Sequence, residues 1–171
     1  SAVKHSLADG AYGQRRKQCE EASSIMGVPS LREATLELLE SFREQLGDVR
    51  YRRARHVIGE NARVNAFANA LARGDWDEAG VAMRGSHASL RDDYDVTGKE
   101  LDTLAELAWQ QDGVIGSRMT GAGFGGCTVS LVRNSAIPAF KENVGKAYTE
   151  KIGYAPSFYV ANIADGTHRI K

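Results

Sequence analysis

Apolar residues recur every three to four positions through the first two-thirds of the chain, which places them on one face of a helix. This pattern predicts a helix over about residues 11–26 and a long helix over residues 50–73. Gly74 is predicted to end the long helix, because glycine readily adopts the left-handed conformation that closes helices. Asp75, with Glu78 three residues later, is predicted to cap the next helix.

Two further helices are predicted from capping boxes, in which a hydroxyl and a carboxylate three residues apart satisfy first-turn amides. Ser30 and Glu33 form the first pair, and the helix that they open is predicted to end at Gly47. Thr97 and Glu100 form the second pair, and the apolar spacing after them predicts a helix that ends by Gly113.

The apolar period changes to two in the last third of the chain, which indicates strands. Residues 114–120 and 127–132 predict two strands joined by a glycine-rich turn, and the alternation in the second predicts one buried face. A helix over about residues 136–152 and a last strand over residues 157–163 follow. The pattern predicts an α+β fold, with helices on one side of a small antiparallel sheet, close to a ferredoxin-like arrangement.

The composition is that of a globular protein, with 42% hydrophobic and 26% charged residues among 171. We expect one domain over residues 1–171, since no repeat or linker divides the chain. The 22 lysines and arginines balance the 22 aspartates and glutamates, so the net charge favours neither nucleic acid nor anionic membranes. Cys19 and Cys127 are too few for a disulfide framework, which favours a reducing compartment.

Neither an apolar run long enough to cross a membrane nor a secretory signal is recognisable in the sequence. The chain begins with Ser1 and lacks an initiator methionine, which favours a trimmed or truncated protein.

The most specific motif is the segment over residues 116–126, GSRMTGAGFGG. Glycine permits positive φ and close backbone approach, and successive amides in such a turn can bind an anion. A P-loop would need lysine and then serine or threonine after the last glycine, whereas Gly126 is followed by Cys127. The spacing also matches a dinucleotide fingerprint, but that fingerprint opens a helix and this segment opens a strand. A tight turn without a ligand is the alternative.

Two other segments carry candidate chemistry. The basic stretch Arg50–Arg55 could bind nucleic acid, but its interleaved apolar positions favour a solvated, ion-paired helix face. The segment Ser86–Tyr94 contains a serine, a histidine and paired aspartates, which could hold a cation or act as acid and base. Surface or hydrogen-bonding roles are the simpler interpretation, because the members of a catalytic triad converge from separate segments. No metal site is predicted, since three histidines lack ligand spacing: His5, His56 and His87.

The glycine segment, extended to residue 128, resembles the third conserved motif of the GHMP small-molecule kinases, in the form found in those that phosphorylate galactose. Other parts of the chain match the same family in order: residues 3–8 with Tyr12, Arg15 and Arg16, residues 53–57, residues 86–94, residues 100–102 and residues 158–159. The resemblance therefore covers almost the whole chain.

The resemblance implies the C-terminal half of a two-domain kinase that transfers the γ-phosphate of ATP, with magnesium, to the 1-hydroxyl of galactose. In this family the N-terminal half holds the nucleotide loop, the catalytic aspartate, an assisting arginine and most sugar contacts. We therefore expect this chain to carry no catalytic residue and no metal ligand. It should need the N-terminal domain as its partner, be inactive by itself and belong to the cytoplasm.

The resemblance also assigns roles to single residues. Tyr12 matches the tyrosine that contacts galactose, and Lys4 matches a basic position near the transferred phosphate. The turn from Thr120 through Gly121, Gly123 and Gly125 matches the loop beside the phosphate. A lysine and a group of amides would complement the charge on the phosphate oxygens.

Two positions depart from the family pattern. Ala2 stands where asparagine is usual, and Ala11 stands where glutamate usually precedes the sugar-contacting tyrosine. These departures leave two alternatives open. One is a related kinase that acts on N-acetylgalactosamine, and the other is a sensor that binds sugar and ATP without turnover.

Overall fold

The computed structural model of the protein describes residues 10–162 and residue 169. Within those residues the chain forms helices and two strands, connected by short turns. In chain order they are α1 (Ala11–Ile25), α2 (Leu36–Ser41), α3 (Arg43–Arg73), α4 (Trp76–Ser89), a π-helical turn (Leu90–Tyr94), α5 (Lys99–Trp109), β1 (Val114–Thr120), β2 (Cys127–Val132), a 3₁₀ turn (Asn134–Ala136) and α6 (Ile137–Ile152).

The predicted α+β class is confirmed. Strands β1 and β2 pair antiparallel, with Thr120 opposite Cys127, and the glycine turn over residues 121–126 joins them as predicted. Helices α4 and α5 pack against β1, and α6 packs on α5. The glycine turn thus lies at one end of a two-stranded ribbon whose position is fixed by two helices.

The junction between α3 and α4 follows the sequence prediction. Gly74 closes α3 with φ of 70° and ψ of 21°, which is the left-handed conformation that glycine adopts without strain. The carboxylate of Asp75 then accepts a hydrogen bond of 3.0 Å from the backbone N–H of Glu78 at the start of α4. The two helices are therefore joined with almost no intervening loop.

The capping box predicted at Ser30 and Glu33 is wrong. The backbone N–H of Glu33 donates to the Ser30 carbonyl in a turn, and the helix begins only at Leu36. Thr35 is the actual cap, because its hydroxyl accepts from the N–H of Leu38 at 3.1 Å. Leu31 is buried among α1, α2 and α3, so tertiary packing holds this segment out of a helix.

Of two other predicted helix boundaries, one is confirmed and one differs from the structure. Gly47 is non-helical, with φ of 64° and ψ of 170°, and the kink there ends the short helical segment that opens α3, as predicted. Thr97 does not cap α5, because Gly98 occupies the cap position with φ of 109° and no side chain caps that end. In both places a glycine changes the backbone direction, at the predicted residue in α3 and one residue after the predicted cap at α5.

The predicted last strand over residues 157–163 is not observed in its described part, residues 157–162, and residue 163 lies outside the described residues. The ring of Phe158 packs edge-on against Phe140 of α6, with 6.0 Å between the ring centroids. The prediction of a buried face on β2 is also wrong within the described residues. None of the six residues of β2 is fully buried, and Val129 is 43% exposed.

Three groups of buried apolar side chains hold these elements together. The first lies between α1, α2 and α3 and includes Leu39 and Leu46. The second lies between α5 and α6 and includes Val144 and Tyr148. The third is small and joins the π-helical turn, α5 and β1. Because the third group contains Met119, it lies directly beneath the start of the glycine turn.

Helix α4 approaches β1 unusually closely. A β-bulge at Ile115 interrupts the pairing of β1 with β2. The Ile115 carbonyl accepts a hydrogen bond from Arg84 at 3.2 Å. A Cβ atom on Gly80 would lie 2.1 Å from the same oxygen. The absence of a side chain at position 80 therefore allows the helix to reach the strand.

Candidate functional site

The glycine turn has a backbone that requires glycine at several positions. Gly121, Gly123 and Gly125 have φ of 88°, 85° and 130°, values that residues with a side chain rarely adopt. Thr120, the last residue of β1, is exposed, as is Gly121, whereas Gly123 and Gly125 are buried. The turn therefore presents Thr120 and Gly121 to solvent, while its centre packs against the protein.

The centre of the turn rests on Val96. The N–H of Phe124 donates to the Val96 carbonyl at 2.6 Å. A Cβ atom on Gly123 would lie 2.3 Å from that same oxygen and 3.2 Å from the sulfur of Met119. The turn is thus held in one position by contacts that leave no room for a side chain at residue 123.

Two arginines hold the chain between the π-helical turn and Val96. Arg15 of α1 donates to the Tyr94 carbonyl at 2.6 Å, to the Asp95 carbonyl at 2.8 Å and to the Asp95 carboxylate at 3.0 Å. Arg53 of α3 donates to the Asp93 carbonyl and, at 3.3 Å, to the Asp95 carboxylate. A π-helical turn leaves backbone carbonyls without regular helical partners, and these guanidinium groups supply the donors.

Arg15 also connects the two parts of the predicted site, which are the helix of Tyr12 and the glycine turn. Its guanidinium carbon lies 5.8 Å from the ring centroid of Phe124 in the glycine turn, within the range of a cation–π contact. Tyr12, predicted to contact the sugar, lies one helical turn before Arg15 on α1 and is 62% exposed. The structure therefore brings the helix that carries Tyr12 against the glycine turn. Lys4 lies outside the described residues.

Tyr12 also lies at the edge of an open cavity of about 630 Å³ between α1 and the segment over residues 28–32. The lining of this cavity includes Cys19 and Tyr94, whose sulfur and hydroxyl are 3.7 Å apart. Burial raises the pKa of the Cys19 thiol, which keeps this group protonated at neutral pH.

A network of side-chain hydrogen bonds lies beneath the π-helical turn. Ser89 donates its single hydroxyl proton to the Asp93 carboxylate at 3.1 Å, so it must accept the hydrogen bond of 3.0 Å that links it to Nδ1 of His56. Burial lowers the pKa of His56 to about 4. His56 is therefore neutral, and its Nδ1 proton is committed to Ser89. Arg55 closes the chain with a bidentate contact to Asp93.

The basic stretch Arg50–Arg55 is an ion-paired helix face, as predicted, with one exception. Arg50 lies 2.6 Å from Glu21, and Arg52 lies 3.0 Å from Asp48. The exception is Arg53, which is paired with Asp95 but is not solvated, because it is only 4% exposed beneath the π-helical turn. The arginines of this stretch are thus engaged with carboxylates and carbonyls of the same chain.

The roles of Arg15, Arg53 and Asp95 are not predicted from the sequence. The family resemblance includes Arg15 without a role, and Arg53 is predicted to lie on a solvated helix face. Asp95 has a positive φ of 56° and accepts from both arginines. An arginine on a helix face carries no local sign that it will be buried, so only the long-range contacts reveal these roles.

Among residues 10–162 and 169, no group of three or more histidine, cysteine, aspartate or glutamate side chains could hold a metal ion. Over the same residues, no helix combines the length and the apolar character that crossing a bilayer requires.

Replacing Asp93 tests the chain of hydrogen bonds beneath the π-helical turn. We expect Asp93→Ala to lower the free energy of unfolding by about 2 kcal/mol, because Ser89 and Arg55 lose a charged acceptor. The effect is limited because the Arg55 side chain is 43% exposed and can be solvated. Urea unfolding measures it, and the neighbouring Asp92→Ala is the control. The Asp92 carboxylate is 58% exposed and pairs with Arg91, so we expect a change below about 0.5 kcal/mol. Equal losses in both variants would contradict the assigned network.

The chain, which carries this fold and this turn, is similar to a known family of proteins. Residues 67–150 match the family model described as GHMP kinases C terminal. This region of the chain is therefore a GHMP kinase C-terminal domain.

Within that family the chain is similar to galactokinases. It is 49% identical over 166 residues to the galactokinase of Ligilactobacillus salivarius, which covers 94% of this chain and 43% of the relative. It is 48% identical over 172 residues to the galactokinase of Clostridium beijerinckii, covering 98% and 44%. A crystal structure of Lactococcus lactis galactokinase complexed with galactose superposes with a TM-score of 0.91 at 42% identity, over 96% of this chain and 44% of that chain. The chain thus spans less than half the length of these relatives.

Proposed function

We propose that this chain is the C-terminal half of a galactokinase, which transfers the γ-phosphate of ATP to the 1-hydroxyl of galactose in the cytoplasm. The observation that carries the proposal is the likeness of 96% of the chain to a galactokinase solved with galactose, at 42% identity and a TM-score of 0.91. A single domain over residues 1–171 fits the share of about 44% that the chain covers in that protein.

In this proposal the chain contributes two sets of contacts. Tyr12 contacts galactose through its exposed phenol, and the turn from Thr120 to Gly125 lies beside the transferred phosphate together with Lys4. Phosphoryl transfer depends mainly on positioning and on neutralising the charge that spreads over the phosphate oxygens. The contact of Arg15 with Phe124 supports this division, because it fixes the helix of Tyr12 relative to the glycine turn.

The remaining chemistry is assigned to an N-terminal domain of the same protein. Phosphoryl transfer also needs a nucleotide cradle, a magnesium site and a group that orients or deprotonates the attacking hydroxyl. By its resemblance to the GHMP kinases, the protein would hold these parts in its N-terminal half. We therefore assign ATP and magnesium mainly to the N-terminal domain, and we expect the 171-residue chain alone to show no turnover.

A coupled assay of ADP release tests this function in the protein that carries both halves. We expect turnover with galactose, and none when the present chain replaces the two-domain protein. A panel with N-acetylgalactosamine and glucose decides the substrate. Turnover on N-acetylgalactosamine but not on galactose would overturn the substrate assignment. Binding of galactose and ATP without turnover would instead favour a sensor, which the departures at Ala2 and Ala11 leave open.

Tyr12→Phe tests the sugar contact by removing one hydroxyl. A neutral hydrogen bond contributes about 0.5–1.5 kcal/mol, so we expect the Michaelis constant for galactose to rise about 2- to 10-fold. The constant for ATP should stay nearly unchanged, because Tyr12 is assigned to the sugar. Initial rates at varied galactose and ATP measure both constants in the two-domain protein. An unchanged galactose constant would remove Tyr12 from the sugar site.

A further inference from the structure

The edge of β1 that faces away from β2 is bonded to side chains within the described residues. Successive residues of a β-strand turn their N–H and C=O groups to opposite edges, so Ser117 and Met119, two residues apart, share an edge. On the edge away from β2, the Ser117 carbonyl accepts from Nε1 of Trp109 at 2.9 Å, and the N–H of Met119 donates to Nδ1 of His87 at 3.0 Å. Helices α4 and α5 therefore hold this strand through two side-chain hydrogen bonds.

His87 has a defined protonation state and orientation. It is fully buried, at 0% exposure. Because Nδ1 accepts from Met119, the proton of the neutral ring lies on Nε2, which donates to the Asp102 carboxylate at 3.1 Å. The indole of Trp109 packs edge-on, with 5.6 Å between the ring centroids. Burial lowers the pKa of His87, which agrees with a neutral ring.

Met119 is the point at which this arrangement reaches the glycine turn. It is 2% exposed and packs with Leu90, Val96 and Leu101. One residue later Thr120 ends β1, and the turn begins. The turn is thus fixed at its start by the bond from Met119 to His87 and at its centre by the bond from Phe124 to Val96.

We propose that His87, oriented by Asp102, is a positioning residue that sets the glycine turn in the geometry required for phosphoryl transfer. The inference rests on the proposed function and adds a role to two residues that this function does not otherwise use. Small displacements of a group beside the reacting atoms reduce rates strongly, by about 100-fold for a shift of 1 Å. A turn that loses its fixed start would therefore affect kcat more than substrate binding.

The test compares four variants in the protein with both halves. His87→Leu removes the acceptor for Met119, and His87→Asn restores one, because an amide oxygen can take the place of Nδ1. Asp102→Ala removes the group that orients His87. Trp109→Phe is the matched control, since it breaks a hydrogen bond on the same strand edge two residues farther from the turn. Circular dichroism and urea unfolding establish that each variant is folded at the assay temperature.

We expect His87→Leu to lower kcat about 10- to 100-fold while the Michaelis constant for galactose changes less than about 2-fold. Asp102→Ala should lower kcat less, His87→Asn should recover most of it, and Trp109→Phe should stay within about 3-fold of the parent. A folded His87→Leu variant with parental kcat would overturn the proposal. An equal fall in Trp109→Phe would also overturn it, because the effect would then reflect general stability. If His87→Leu does not fold, the kcat of Asp102→Ala is compared with that of Trp109→Phe. A kcat of Asp102→Ala that is no lower than that of Trp109→Phe would then overturn the proposal.

Amide hydrogen exchange separates this proposal from the function on which it rests. If the parent protein has no kinase activity with any sugar, the proposed function fails, but exchange still reports the position of the turn. We expect His87→Leu, and not Trp109→Phe, to accelerate exchange selectively at Met119 and at the amides over residues 120–124. Unchanged protection at Met119 in a folded His87→Leu variant would show that His87 does not hold the turn.

Discussion

We expect Gly80→Ala to lower the free energy of unfolding by at least about 3 kcal/mol, the upper end of the range for added atoms in a packed interior. The new Cβ would lie 2.1 Å from the Ile115 carbonyl oxygen, and that oxygen belongs to the backbone of β1. A flexible side chain could move aside, but a strand at a β-bulge cannot do so without disturbing its pairing with β2. For a chain of this size, the corresponding fall in the unfolding midpoint is about 6–12 °C.

The matched control is Gly85→Ala in the same helix. A Cβ on Gly85 would meet only a carbon of the Arg63 side chain at 3.4 Å, which is an ordinary contact. Alanine is a better helix former than glycine, so we expect Gly85→Ala to be neutral or to stabilise by about 0.5–1 kcal/mol. Thermal unfolding of the two variants with the parent chain gives the comparison. A Gly80→Ala midpoint within about 2 °C of the parent would show that α4 does not approach β1 as closely as described.

The close contact at Gly80 illustrates what the sequence pattern could not predict. The sequence predicts α4 from the cap at Asp75 and Glu78, and it predicts β1 as the strand before the glycine-rich turn. Nothing in either pattern indicates which glycine faces a backbone carbonyl. The β-bulge at Ile115 is likewise a property of the pairing with β2, so it appears only when both strands are in place.

The errors at Ser30 and Thr97 have a related cause. A capping box is a local pattern, and each of these hydroxyls has a carboxylate at the correct spacing. The segment after Ser30 instead buries Leu31 in the core between three helices, and that burial outweighs one or two capping hydrogen bonds. The conformation of Gly98 moves the start of α5 beyond Thr97. Local patterns therefore predicted that helices exist here but not where they begin.

The candidate site also has one part that the sequence predicts and another that it does not. The glycine turn is visible in the sequence, because so many glycines in a short segment indicate a special backbone. Its support is not visible, since Arg15 contacts Tyr94 and Asp95 across separations of 79 and 80 residues. The positive φ of Asp95, at 56°, also lacks a local signal. A resemblance to a family predicts Tyr12 and the turn as site residues, whereas the contacts between the helix of Tyr12 and the turn are seen only in the structure.

Gly123→Ala is expected to affect both stability and activity. At φ of 85° an alanine is strained, which costs about 1–2 kcal/mol. Its Cβ would also lie 2.3 Å from the Val96 carbonyl oxygen and 2.9 Å from the Val96 Cβ. Relief of this overlap requires the turn to move away from Val96, which would break the bond from Phe124 to the same carbonyl. Adding about 1–3 kcal/mol for overpacking, we expect a total loss of about 2–5 kcal/mol.

Gly121→Ala separates backbone strain from the loss of contact with Val96. Gly121 has a similar φ of 88°, but a Cβ there would have no atom within 4 Å, so only the strain of about 1–2 kcal/mol applies. Urea unfolding should therefore rank the parent above Gly121→Ala and Gly121→Ala above Gly123→Ala. Since the turn is assigned to the phosphate, displacement from Val96 should lower kcat of the two-domain protein about 100-fold in Gly123→Ala, with a smaller fall in Gly121→Ala. Equal stability losses in the two variants would show that contact with Val96 does not hold the turn. A folded Gly123→Ala variant with parental kcat would show that the position of the turn does not matter for phosphoryl transfer.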